Sequence, residues 1–193
     1  MEKAIINEEI FKKIINGAKA SVAVDDTRLI LKYIKLVFKD NNVTAYSCSG
    51  YTASRITLQL GESQDNFECL IKPINIKVSK GGLQNIVIEK EEDNVRVFVP
   101  TEFGKLVYNF SQPSGSFVDV ERVFNDAEEH DREIALNIKY LKQALTAIGT
   151  TDVDNIVKIQ TKADNTKAII IKSNNGAGIN NEQLILPVRL FDR

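Results

Sequence analysis

Nucleophilic or acid–base chemistry would have to be built from very few side chains in this sequence: one histidine, His130, and two cysteines, Cys48 and Cys69. A thiol nucleophile needs a base within hydrogen-bond reach to take its proton. His130 stands in the acidic stretch 125–131, far along the chain from both thiols. Cys48 and Cys69 lie in strand-like runs without C-x-x-C spacing, which reads as reduced, buried thiols of a cytosolic protein. No Walker loop, no His/Cys cluster at metal-ligand spacing and no glycine-rich dinucleotide turn occurs. The stretch 173–178 holds Gly176 and Gly178 but leads towards a strand, whereas a phosphate cradle opens a helix. The expectation is a non-enzyme with no cofactor, metal or catalytic residue. A small hydrolase using Cys48 or Cys69 is the catalytic alternative.

The charged side chains that do recur in a pattern are lysines on amphipathic helices. After Asn7, residues Glu8 to about Lys19 place Ile10, Phe11, Ile14, Ile15 and Ala18 on one stripe at helical spacing, with Lys12, Lys13 and Lys19 outside. Glu8 and Glu9 suit the positive end of the helix dipole. A second such helix follows Asn137, with Leu141, Ala144, Leu145 and Ile148 inward and Lys139 and Lys142 outward. Asn137 can cap its first turn and Gly149 can take the positive φ of a helix exit. Between them, Pro73 to Gly82 predicts a short helix carrying Lys77 and Lys80, entered at the proline and closed by Gly81-Gly82.

Each helical stretch introduces strands. The runs 29–39 and 43–49 join through Asp40-Asn41-Asn42 and are followed by 54–60; Phe67 to Ile71 adds a short strand. The runs 84–90 and 94–99 turn through Glu92-Asp93-Asn94, and 105–112 follows. The runs 155–161 and 167–172 turn through 163–166, before a last strand ending at Leu190. Asp and Asn tolerate left-handed φ, which tight hairpins need. Three times the chain writes a helix, a hairpin turning on Asp-Asn and a further strand, a unit too small to bury its own core. The fold class that follows is α+β, with repeated helix-plus-hairpin units whose helices cover one face of a continuous antiparallel sheet.

At 193 residues the chain can bury a substantial core. A formal net charge of −1 gives no global attraction to nucleic acid, so any DNA contact has to be a local patch. No run of about eighteen apolar residues and no signal-peptide pattern is present, so the expectation is a cytoplasmic protein without a membrane partner.

Two strings at the far end carry a resemblance. Asn137-Ile138-Lys139-Tyr140-Leu141 is similar to the helix entry, and Leu186-Pro187-Val188-Arg189-Leu190 to the C-terminal tail, of the bacterial DNA polymerase III beta subunit, the sliding clamp. Residues 1–122 resemble one whole clamp domain of two units more loosely. Residues 48–54 stand where that domain has a Thr-Asp-Gly-His-Arg-Leu-Ala-type segment, with Gly50 kept and Ser49 and Ala53 replacing the Asp and Leu. Residues 117–124 resemble its closing Phe-Pro-Asp-Tyr-Arg-Arg-Val-type segment. The domains this implies are 1–122 (two units), an acidic linker 123–132, and a half domain 133–193: an abbreviated, DNA-clamp-like chain.

The resemblance implies a processivity protein that encircles duplex DNA without reading sequence and docks partner peptides. Phosphate contact by exchangeable cations is what sliding requires, and the implied contacts are Lys12, Lys13, Lys19, Lys77, Lys80, Lys139 and Lys142. The plain alternative is solvated helix faces. A pocket for DNA polymerase and other clamp-binding peptides would be formed by Tyr140, Leu184, Pro187, Val188, Arg189 and Leu190 on one wall and Gly50, Tyr51 and Ala53 on the other. Its plain alternative is an edge strand with Leu184 and Leu186 in the core. Family rings contain twelve units, so three per chain would close as a homo-oligomer of four, through an unpaired sheet edge at each end. The competing reading is a clamp relative that kept the pocket but not the ring, acting as a scaffold or decoy for replication partners.

Overall fold

The computed structural model describes the chain except residues 25–27, 62–63, 78, 80–83, 128–132, 150–155, 163, 165–166, 174–180 and 189–193. The chain divides into two lobes, Met1–Glu128 and Glu129–Arg193. The first runs β1 (Glu2–Asn7), α1 (Glu8–Lys19), a 3-10 turn (Leu29–Lys32), β2 (Ile34–Lys39), β3 (Asn42–Cys48), β4 (Ala53–Gln59), β5 (Phe67–Ile71), β6 (Asn85–Glu91), β7 (Asn94–Thr101), β8 (Gly104–Ser111) and α2 (Val120–Ala127). The second runs α3 (Ile138–Gly149), β9 (Val157–Gln160), β10 (Ile169–Ser173) and β11 (Glu182–Ile185).

Local chemistry sets several of these boundaries. Asn7 caps α1, its Oδ1 accepting from the N–H groups of Glu9 at 2.9 Å and Ile10 at 3.3 Å. Asn137 caps α3 in the same way, accepting from Lys139 N at 2.9 Å. Asp40 and Asn41 both have positive φ (49° and 59°) and form a two-residue hairpin, with Lys39 opposite Asn42. The second turn is one residue earlier than expected. Asn94 already pairs with Glu91, so Glu92-Asp93 makes the turn and Glu92 takes the positive φ of 49°.

Other expectations are corrected. The first four residues of the expected strand 29–39 form the 3-10 turn that buries Leu31. Among the described residues no helix follows Pro73: residues 72–77 have no regular secondary structure, with Ile74 and Ile76 buried and Asn75 and Lys77 exposed. A proline restrains the preceding residue to extended backbone, and isoleucines at every second position favour strand-like burial. Gly149 does not take positive φ at the end of α3. The last strand ends at Ile185, with 186–188 irregular and Leu190 outside the described residues. Residues 123–127, expected as linker, continue α2, which packs on β3 and β4.

The described strands fall in three antiparallel sheets instead of one continuous sheet: β4-β3-β2-β5 and β1-β6-β7-β8 in the first lobe, β11-β10-β9 in the second. In the first lobe α1 packs against both sheets, and Phe11, Ile14, Ile15 and Ala18 seal into one cluster with Ile34, Leu36, Ile86 and Ile88. Each buried Phe, Ile or Leu of this set gains about 1.5–3 kcal/mol from leaving water. Ser47, fully buried on the α1 side of β3, donates to Ala18 O at 2.6 Å. α2 lies on the opposite face, where Tyr46 and Arg55 meet it, so the helices do not all cover one face. In the second lobe Ala144 and Ile148 of α3 pack on Ile169, Ile171 and Ile185, a smaller core among the described residues.

Two sheet edges are stopped by side chains. On β1, Asp65 Oδ2 accepts from Lys3 N at 2.7 Å and Gln64 Oε1 from Ile5 N at 2.6 Å. On β5, the Gln112 amide imitates a strand: Leu70 N donates to its Oε1 at 2.7 Å and its Nε2 donates to Leu70 O at 2.9 Å. Among the described residues no strand lies against the outer edge of β4 or β8.

Glu8, fully buried at the start of α1, anchors the segment ahead of β6. Its carboxylate accepts from Ser79 N at 3.1 Å, from Gln84 N at 3.4 Å and from the Ser79 hydroxyl. Burial raises its pKa, but these hydrogen bonds outweigh burial and the net direction is down from 4.5. The carboxylate therefore stabilises the fold above the unfolded pKa, and that contribution fades as pH falls through the lower folded value. Glu8→Gln is expected to lose about 1–3 kcal/mol at neutral pH. In urea unfolding followed at successively lower pH, the gap between wild type and variant should close in the acid range; a pH-independent gap would refute the assignment.

Candidate functional site

Two kinds of surface gather the residues that the sequence singles out. The first kind is cationic and is found on one helix of each lobe, taken separately. On α1, Lys13 and Lys19 are exposed and Lys12 half-buried, on the side away from Phe11, Ile14 and Ile15. Lys19 Nζ donates to Asn75 Oδ1 at 3.5 Å. On α3, Lys139 and Lys142 are exposed and the helix contains no acidic residue. At a rise of about 1.5 Å per residue, Lys139 and Lys142 stand about 4.5 Å apart along the axis, on one flank. Lys77 is exposed, but in a stretch without regular secondary structure and not on a helix; Lys80 lies outside the described residues.

The second surface is apolar. In the second lobe, α3 and β11 bound a groove of about 630 Å³. Ala144, Ala147 and Ile185 line it together with Tyr140, Leu184 and Leu186. Leu184 and Leu186 are 64% and 68% exposed, which removes the alternative that they belong to the core. Asn181 Nδ2 donates to Ala147 O at 2.9 Å, tying the strand entry to the end of the helix. Pro187 and Val188 follow the groove without lining it, and Val188 N donates instead to Ala135 O at 2.9 Å. Arg189 and Leu190 lie outside the described residues.

The residues expected on the other wall belong to the first lobe. Ser49 N donates to Thr52 O at 2.9 Å and Ser49 Oγ accepts from Thr52 N at 3.1 Å, a tight turn that needs φ of +89° at Gly50. A Cβ on Gly50 would stand 3.1 Å from the Arg28 guanidinium. Tyr51 at its tip is 99% exposed, and Ala53 is half-buried at the start of β4.

One of the two candidate thiols is poorly suited to act as a nucleophile. Burial pushes the Cys69 thiol up to about 12, away from the thiolate a nucleophile needs. His130 lies outside the described residues. Among the described residues no three His, Cys, Asp or Glu side chains come together as a metal site, and no helix is long and apolar enough to cross a membrane.

The sequence reading missed the joint between α2 and the sheet. Tyr46 donates its O–H to Glu121, Arg55 Nη1 reaches Glu121 Oε1 at 3.3 Å and Asn125 Oδ1 at 3.5 Å, and the guanidinium lies 4.7 Å from the centre of the Phe124 ring. The signal was there: Val120, Val123 and Phe124 have helical spacing, within an acidic stretch that reads as linker.

No protein-family model matches the sequence, and neither does any curated protein. Solved structures do match. The DNA polymerase III beta chain of Streptococcus pneumoniae superposes with a TM-score of 0.75 at 14% identity, over 98% of this chain and 50% of that one. The DNA polymerase III subunit beta of Pseudomonas aeruginosa gives 0.74 at 15% identity, over 97% and 51%. A putative DNA polymerase III beta subunit from Eubacterium rectale gives 0.72 at 12%, over 97% and 50%. This chain has the sliding-clamp fold. It spans about half the length of the solved sliding clamps it matches.

The joint around Tyr46 gives a direct test of the side-chain arrangement on this clamp-like lobe. Burial, with the Glu121 carboxylate accepting its O–H, pushes the Tyr46 phenol up to about 12. Tyrosinate titration of wild type minus Tyr46→Phe should isolate a step near 12. Glu121→Gln should move that step towards 10, the ordinary value, while leaving the part due to burial. A step already at 10 in wild type would mean that α2 does not sit on this face.

Proposed function

We propose that this chain is a sliding-clamp-like DNA-tethering protein without chemistry of its own: it assembles around duplex DNA, contacts phosphates through its helices and docks partner peptides. The observation that carries this reading is a clamp fold extending over 98% of the chain. Three features support it. The exposed lysines of α1 and α3 offer exchangeable phosphate contacts, and Lys77 adds a cation on the segment after Pro73. Among the described residues no strand lies against the outer edges of β4 and β8, while those of β1 and β5 are stopped by side chains, so further strands would add at chosen places. The α3–β11 groove suits a short hydrophobic peptide in extended form. Its wall takes in Tyr140 and Leu184, and Pro187, Val188, Arg189 and Leu190 follow along the chain; Gly50, Tyr51 and Ala53 of the first lobe are proposed as further peptide contacts.

The same groove supports a second reading, a peptide-binding clamp relative that forms no ring. Retention on circular duplex DNA separates the two. A tether is expected to stay on circles at moderate salt and to leave when the circle is cut, with light scattering showing a closed oligomer of four chains. Changing Lys12, Lys13, Lys139 and Lys142 to alanine should flatten the slope of log affinity against log salt by about 0.9 for each phosphate contact removed. Equal behaviour on circles and linear fragments, with peptide binding that Leu184→Glu abolishes, would establish the second reading and refute the tether.

A further inference from the structure

The halves of the first lobe complete each other by exchanging strands. β1 leads into α1 and β2-β3-β4 yet pairs with β6 of the other half; β5 leads towards β6-β7-β8 yet pairs with β2. The second lobe repeats one such half, α3 followed by strands in the order β11-β10-β9, as α1 is followed by β4-β3-β2.

Its leading segment is present too. Residues 133–137 run into the asparagine-capped α3 as β1 runs into the asparagine-capped α1. Ile134 and Leu136 pack on the small core at the places that Ala4 and Ile6 hold in the larger one. Ala135 O accepts from Val188 N at 2.9 Å, much as Lys3 O accepts from Asp65 N at 3.3 Å on the stopped edge of β1. Among the described residues, however, no strand takes up the other edge of 133–137, and none lies beside β9 where β5 lies beside β2.

The consequence is visible on one side chain. Ile159 pairs with Ile171 and shares its inward face, but Ile171 is fully buried and Ile159 is 58% exposed. The inward residues of β2 and β6, namely Ile34, Leu36, Ile86 and Ile88, are all sealed.

We infer that a second copy of this chain supplies the missing neighbour: two second lobes meet about a two-fold axis, residues 133–137 of each lying antiparallel against β9 of the other. Such an isologous joint satisfies both open edges at once and covers Ile159 twice. Charge favours this occupant. Exposed Glu133 stands on the leading segment, and exposed Lys158 and Lys162 stand on or just beyond β9. The corresponding joint inside the first lobe carries the ion pair of Glu2 and Lys90 at 3.5 Å. The inference rests on this half-domain geometry and not on DNA tethering, so either can fail without the other.

The test is solution mass of the whole chain across a micromolar series, combined with amide hydrogen exchange. Wild type should have the mass of two chains or an even multiple, with protected amides in 157–160. Ile159→Arg should weaken association on the order of tenfold or more, exposing 157–160 while 169–173 stays protected. Glu133→Lys should weaken it as well, and Lys158→Glu with Lys162→Glu in the same chain should restore it. A wild type monomeric throughout, or Ile159→Arg associating like wild type, overturns the inference. Should Ile159→Arg also expose 169–173, the lobe has unfolded, and the charge exchange decides: failure of the rescue overturns it.

Discussion

A helix with one apolar stripe and a sheet with one apolar face each leave half of their contact unsatisfied, and the first lobe is organised by how α1 resolves this. Its stripe is wide enough to touch both sheets, so Phe11, Ile14 and Ile15 become the common floor of β2-β3 and β1-β6. The crossing of β1 and β5 follows from the same need. A strand placed on the far sheet makes the two halves inseparable, because pulling them apart would break a full ladder of six residue pairs between β1 and β6. The half present in the second lobe keeps the stripe and the sheet but, among its described residues, has only Ala144, Ile148 and three isoleucines fully buried. Small cores of that kind gain most from a partner surface.

Exposed backbone is the second constraint, and it is met selectively. A free strand edge offers unpaired N–H and C=O groups to any passing strand. Gln64, Asp65 and Gln112 close two edges with side-chain amides and a carboxylate placed at hydrogen-bond distance from the backbone. Among the described residues β4 and β8 have no strand against their outer edges, so the two kinds of edge differ in whether a side chain occupies them.

The readable part of this fold was the part whose signals are local. The 3.6-residue spacing of Phe11, Ile14, Ile15 and Ala18, the cap at Asn7 and the Asp40-Asn41 turn all act within a few residues, and each appears where expected. What could not be read depends on partners distant in sequence. Nothing in Glu2–Asn7 announces that it pairs with Asn85–Lys90, and nothing in Gln112 announces that its amide will stand in for a strand at Leu70. The acidic residues around α2 hid a helix because Glu121 takes its role from Tyr46 and Arg55 in other strands. Of the candidate site, Tyr140 and Leu184 do line one groove. Gly50 and Tyr51 belong to a turn of the first lobe and do not line that groove.

Charge placement explains how a chain of net charge −1 can carry cationic helices at all. Two acidic residues sit in the first turn of α1, where the helix dipole favours them, but Glu8 is withdrawn from solvent by Ser79 and Gln84. The outward side of α1 is left with Glu9 against three lysines. α3 reaches the same result by having no acid in its twelve residues. The compensating negative charge is gathered elsewhere, at Glu121 on the opposite sheet face and at Glu91, Glu92 and Asp93 around a hairpin turn. Over distances beyond about 8–10 Å at physiological salt, such charges are screened from one another. A polyanion approaching α1 or α3 would therefore respond to the local lysines and not to the neutral total.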